Sequence, residues 1–119
     1  MQPEWTPDQI ERRNRVIAGA TVVATLRGGR DAALIAWAMD SGRYTRIDRQ
    51  TPYGNPYVIG TDGDRAAVIA RYREDVRANP EIVERLGDLR GRVLGCWCYP
   101  LACHGDVIAE IANSREAAQ

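Results

Sequence analysis

The 119-residue sequence has no lysine: all 16 basic residues are arginine, and they balance 16 acidic ones. A lysine Schiff base and a Walker-type phosphate loop both need an ammonium group, so both are excluded. A formal net charge of zero leaves no overall basic field to draw the chain to DNA or acidic membranes. Nucleic acid is therefore a disfavoured partner. No apolar run approaches the length of a membrane span, and residues 1–11 are too polar for a signal peptide. Cysteine is scarce, three in all, and its odd count without an export signal points to reducing cytoplasm and to free or metal-bound thiols. The all-arginine bias, with abundant Ala, Gly and Asp, fits a GC-rich, actinobacterial-type genome.

What is present is the composition of an ordinary globular domain, with 45% hydrophobic and 27% charged residues. Thr6-Pro7-Asp8-Gln9 reads as a helix start with a capping box. Its apolar stripe is thin (Ile10, Val16 and Ile17), so residues 1–20 are expected as an N-terminal helical extension on a core at 21–113, with a flexible tail at 114–119. Strands are predicted at 21–26, 44–47 and 92–94, with a short one at Val58-Ile59. Helices are predicted behind an Asp31 cap, over 65–78 with Val68, Ile69, Tyr72 and Val76 inward, after Pro80, and from Val107 to Asn113. The fold class is α/β: a small, mostly parallel sheet flanked by helices.

The three cysteines and the single histidine fall within nine positions, Cys96 to His104, between the last strand and the last helix. Open α/β sheets place ligands at such strand-to-helix loops. Three accounts of the cluster stay open. Cys96, Cys98, Cys103 and His104 supply the ligand count of a tetrahedral zinc site, although C-x-C replaces the usual C-x2-C. Alternatively Cys103 is a nucleophile at a helix start, with His104 as base and Asp106 orienting it. Or the thiols are small buried hydrophobes, and His104 and Asp106 satisfy the helix N-terminus. A disulfide is the poorest account, since Cys96 and Cys98 are too close in sequence to bridge easily.

Upstream, Arg49 to Tyr57 forms a loop punctuated by Pro52, Gly54, Asn55 and Pro56. Arg49 with Gly54-Asn55-Pro56, Arg65 with Ile69 and Tyr72, and Leu89-Arg90-Gly91 through Asp106 together resemble a domain-of-unknown-function family (4326) found in phages and bacteria. The resemblance covers about residues 21–113 and implies that Arg49, the Gly54-Asn55-Pro56 loop, Arg65 and the cysteine stretch share one pocket. On that footing Arg49 and Arg65 are expected to bind an anionic, nucleotide-like ligand, Gly54 and Asn55 to supply loop contacts, and the thiols to form the chemical or metal end. The rival is a phage effector that binds a host protein, its cysteines structural.

Overall fold

The structure, a computed structural model, describes residues 4–117, with side chains described to residue 114. Five α-helices and three strands follow one another as α1 (Pro7–Ile17), β1 (Val22–Thr25), α2 (Ala32–Asp40), β2 (Tyr44–Arg46), α3 (Arg65–Arg77), α4 (Pro80–Gly87), β3 (Val93–Cys96) and α5 (His104–Ala117), with a short 3-10 turn at Arg27–Gly29. The strands form one parallel sheet in the order β1-β3-β2. Val22 pairs with Val93 and Thr25 with Cys96 on one side of β3; Tyr44 pairs with Val93 and Arg46 with Gly95 on the other. Every residue of β1 and β3 is buried. That follows from helices covering both faces, and it explains why these strands are apolar runs rather than alternating ones.

Alternate side chains sort the core into two layers. Val22, Ala24 and Val93 face Val16, Leu34, Ile35 and Ala38 from α1 and α2. Val23, Leu94 and Cys96 face the other way, with Ile47, against Tyr72, Val76, Leu86, Val107 and Ile108 from α3, α4 and α5. Each fully buried aliphatic, such as Leu34, Ile47, Leu94 or Ile108, contributes about 1.5–3 kcal/mol by leaving water. Because the strands are parallel, their carboxyl ends (Thr25, Arg46 and Cys96) all reach the same edge of the sheet. Leu26 N–H donates to Cys96 O at 2.7 Å and Ile47 N–H to Gly95 O at 2.9 Å, which holds that edge together.

α1 is docked by polar side chains, not by its thin apolar stripe. Gln9, Arg12 and Val16 lie on one face and are buried. The Arg12 guanidinium donates to Val23 O (2.8 Å), to both Asp31 oxygens (2.6 and 3.0 Å) and to Asp8 (2.8 Å). Asp31 stands at the N-cap of α2, where the sequence suggested, and its carbonyl accepts Ile35 N–H at 2.9 Å, but its carboxylate makes no capping bond: it binds Arg12 and accepts Thr25 N–H at 2.7 Å.

Three further boundaries differ from expectation. Val58-Ile59 is exposed and not a strand: Asp62 takes up both backbone groups of Val58, donating its N–H to Val58 O and accepting Val58 N–H on its carboxylate, each at 2.8 Å. β3 continues through Gly95-Cys96, since Gly95 leaves the room that the Tyr44 ring occupies; a Cβ there would sit 2.0 Å from the Tyr44 hydroxyl oxygen. α5 starts three residues before Val107, and the expected tail is helical to Ala117; its last two residues lie outside the described residues.

Candidate functional site

A cleft of about 330 Å³ opens at the carboxyl ends of the strands, where open α/β sheets bind ligands. Its lining includes Asp48, Arg49, Asn55, Tyr57, Arg65, Trp97, all three cysteines and His104. One wall comes from the chain leaving β2, one from the start of α3, and the floor from the segment between β3 and α5.

That segment brings the thiols together in steps. Cys96 is the last residue of β3 and is buried on the α5 side of the sheet. Trp97 turns outward and its indole N–H donates to Asp48 Oδ2 at 2.9 Å. Cys98 is half-buried, and Leu101 N–H bonds to its carbonyl at 2.8 Å as the chain reverses through a cis Tyr99-Pro100 bond. Tyr99 lies over Arg12, 4.2 Å from ring centre to Cζ, and its hydroxyl donates to Asp8. α1 thus holds the cysteine loop from behind. Cys103 then caps α5: its sulfur accepts Gly105 N–H at 3.3 Å. The three Sγ atoms end within 4.8 Å of one another.

Packed this closely, the thiols cannot ionise independently. Cys96 is the favoured thiolate, lowered to about 5 chiefly by a hydrogen bond from the Cys103 thiol. Burial opposes the shift, while the Trp97 and Cys98 amides and the charge of His104 assist it. Cys103 is pushed up first by that same hydrogen bond and then by burial. Cys98 is pushed up by burial and by its neighbour Cys96, with Arg65 pulling the other way.

His104 and Asp106 stand next to Cys103, and each makes a hydrogen bond to the backbone. The His104 Nε2 is 2.7 Å from Ile47 O. A carbonyl only accepts, so this nitrogen carries a proton. The ring packs edge-on to Tyr72 at 5.2 Å. Asp106 Oδ2 accepts Cys103 N–H at 3.0 Å, closing the first turn of α5 as a capping box. The residues grouped as candidate metal ligands are Cys96, Cys98 and Cys103, without His104.

Arg49 and Arg65 both line the cleft. Arg49 donates one N–H to Tyr57 O at 3.0 Å, and Arg65 donates one to Ala102 O at 2.9 Å. Neither pairs with a carboxylate among the described residues. A guanidinium has five donors, so each retains several. Asn55 is occupied: its amide donates to Val68 O and its carbonyl oxygen accepts Tyr57 N–H, which latches the loop to α3. Gly54 does not line the cleft. It permits close packing beneath it, since a Cβ would fall 2.6 Å from Arg49 Cα and 2.8 Å from Asp48 O. Asp48 is a lining residue that sequence reading passed over. The one available signal was an acidic residue directly after a strand.

The family model described as a domain of unknown function, DUF4326, matches residues 36–114, which takes in the whole lining of the cleft and leaves out α1 and β1. A protein of Enterobacteria phage T4, described as an uncharacterized 12.4 kDa protein in the nrdA-td intergenic region, is 41% identical over 71 residues. The match covers 56% of this chain and 65% of the phage protein, a little under two thirds of its length. No solved structure matches.

Proposed function

The chain belongs to the DUF4326 family, and we propose that it binds a small anionic, nucleotide-like molecule in the cleft at the carboxyl ends of its strands. One observation carries this reading: two guanidiniums without carboxylate partners line the same cleft as two aromatic rings, Tyr57 and Trp97. Planar forks of N–H donors suit phosphate or carboxylate oxygens, and an exposed indole pinned by Asp48 offers a flat face to a base. The volume is at the small end of the range for ligand sites, which favours a mononucleotide over a dinucleotide. The thiols at the floor require reducing surroundings to stay free, which supports a cytoplasmic location, of the host where a phage encodes it.

Calorimetry with nucleoside mono-, di- and triphosphates, beside inorganic phosphate, tests the proposal. At least one nucleotide is expected to bind more tightly than phosphate alone. Arg65→Ala is expected to weaken it about tenfold or more, the usual loss of a charge-assisted contact. Binding that ignores both Arg65→Ala and Arg49→Ala, or no binding across the panel, overturns it.

A second reading, a module that docks on a host protein, is favoured by the exposed apolar side chains of Val58, Ile59, Trp97 and Leu101, two of which line the cleft. Val58→Ser with Leu101→Ser, two exposed positions outside the cleft lining, separates the two: it abolishes capture of a protein partner and leaves nucleotide affinity intact.

A further inference from the structure

We propose that Cys96, Cys98 and Cys103 bind one zinc ion as a three-thiolate site whose fourth position opens into the cleft. The sulfurs already lie within 4.8 Å of one another. Zinc–sulfur bonds of about 2.3 Å in a tetrahedron place sulfurs about 3.8 Å apart, so closing on the ion asks for movements of no more than about one ångström. The C-x-C spacing ceases to be an objection in three dimensions. Cys96 ends a strand, Cys98 sits on the turn after it, and Cys103 returns as a helix cap, so the three approach from different backbone directions.

The surroundings are those of bound thiolates. Gly105 N–H points at the Cys103 sulfur, and the Trp97 and Cys98 amides face Cys96. Such outer hydrogen bonds orient and stabilise metal-bound sulfur. Cys103 also sits at the N-terminus of α5, where the helix dipole favours an anion. Three thiolates on a dipositive ion leave one net negative charge, and the Arg65 guanidinium lies against Cys98 to offset it.

No fourth protein ligand joins the three thiols among the described residues, and the one imidazole nearby is turned to the Ile47 carbonyl. Structural zinc sites are closed by four protein ligands, whereas sites with three keep a position for water or a ligand atom. Here all three cysteines line the cleft, and half-buried Cys98 stands between the floor and its opening. The open position therefore meets whatever the arginines hold. Zinc, rather than a hard cation, follows from an all-sulfur donor set.

The experiment uses the whole chain, reduced, stripped with chelator and reloaded. Native mass spectrometry is expected to show one zinc per chain, and the cobalt-substituted protein to show sulfur-to-cobalt charge transfer with tetrahedral ligand-field bands. Cys98→Ser, a half-exposed position chosen so that the fold survives, is expected to lower zinc affinity beyond the ~10–100-fold typical of outer-shell changes. His104→Gln is expected to leave the ligand set unchanged; X-ray absorption of the native zinc protein checks this without a variant, expecting three sulfurs, one light atom and no imidazole scattering. No metal on fully reduced protein, a Cys98→Ser variant that binds as before, an imidazole ligand, or iron or copper taken up in preference to zinc would each overturn the proposal. The inference rests on the cleft but not on its nucleotide. Zinc bound with no nucleotide affinity upholds it while removing the functional reading, and nucleotide bound with no zinc does the reverse.

Discussion

Two clusters of buried polar groups lie on opposite faces of the sheet, and they differ in completeness. On the α1–α2 face, Arg12 and Asp31 are both about 95% buried, and both guanidinium NH2 groups and both carboxylate oxygens find partners, leaving the Arg12 Nε–H without one. Burial alone would depress the pKa of Arg12; the hydrogen bond and charge of Asp31 outweigh it and raise it. On the α5 face, three thiols have mainly one another, and they border an open cleft with two arginines that lack carboxylates. Buried polar groups are normally satisfied within the protein, as nearly all of the first cluster is. The first cluster fastens α1 to the domain. The second leaves its thiols and guanidinium donors facing an opening.

The sharpest way to break this contrast is to truncate the complete cluster. Arg12→Ala leaves Asp31 charged and buried, and Asp31→Ala does the same to Arg12. Either is expected to cost about 3–5 kcal/mol in urea unfolding. The double variant is expected to lose much less than the sum of the two, because each single change strands its partner. Additive losses would mean that the pair is not coupled, and the distinction between the clusters would fail. Because Tyr99 of the cysteine loop rests on Arg12 and Asp8, the Arg12 variant should also loosen zinc binding.

A smaller effect separates the loop that frames the cleft from the thiols on its floor. Gly54→Ala forces a methyl group against Arg49 Cα and Asp48 O, which are backbone atoms and cannot swing aside. Overpacking of this kind costs about 1–3 kcal/mol. Displacing Arg49 should weaken nucleotide binding while zinc stoichiometry stays at one per chain. If nucleotide affinity is untouched, Arg49 is not part of the anion site.

How much of this was legible beforehand follows from the range of each interaction. β1 and the helix over Arg65–Arg77 were readable because β-branching and three-to-four spacing are local signals. The cysteine site was readable because its donors are crowded into nine residues. Which of those donors face one another was not, since His104 is turned by a carbonyl 57 positions away. The Arg12–Asp31 pair was hidden in an arginine-rich stretch that looks solvated. The hint was that Gln9, Arg12 and Val16 are spaced three and four apart, one helical face. Val58-Ile59 failed as a strand although its composition is right, because Asp62 four residues on occupies both Val58 backbone groups in a turn.

The smallest effect concerns Asp48, which stands between the two extremes. Its carboxylate accepts from Arg46 at 2.7 Å, from Trp97 at 2.9 Å and from Gln50 N–H at 3.3 Å, so it fixes a wall of the cleft while remaining beside solvent. Burial pushes its pKa up, but the hydrogen bonds from Arg46 and Trp97 prevail and hold it below the usual carboxylate value. A carboxyl whose folded pKa is depressed adds stability that is fully present above the unfolded value of about 3.9 and disappears as pH falls through the folded one. Asp48→Asn removes the charge at every pH. Wild type is therefore expected to exceed the variant slightly in urea midpoint at pH 7, with the gap closing below about pH 4 as Asp48 itself becomes neutral. Salt should narrow the gap as well, because the Arg46 side chain is 41% exposed and its charge is screened. A gap that persists unchanged at pH 3 would assign Asp48 to shape rather than charge, and the wall it forms would belong with the complete cluster on the other face.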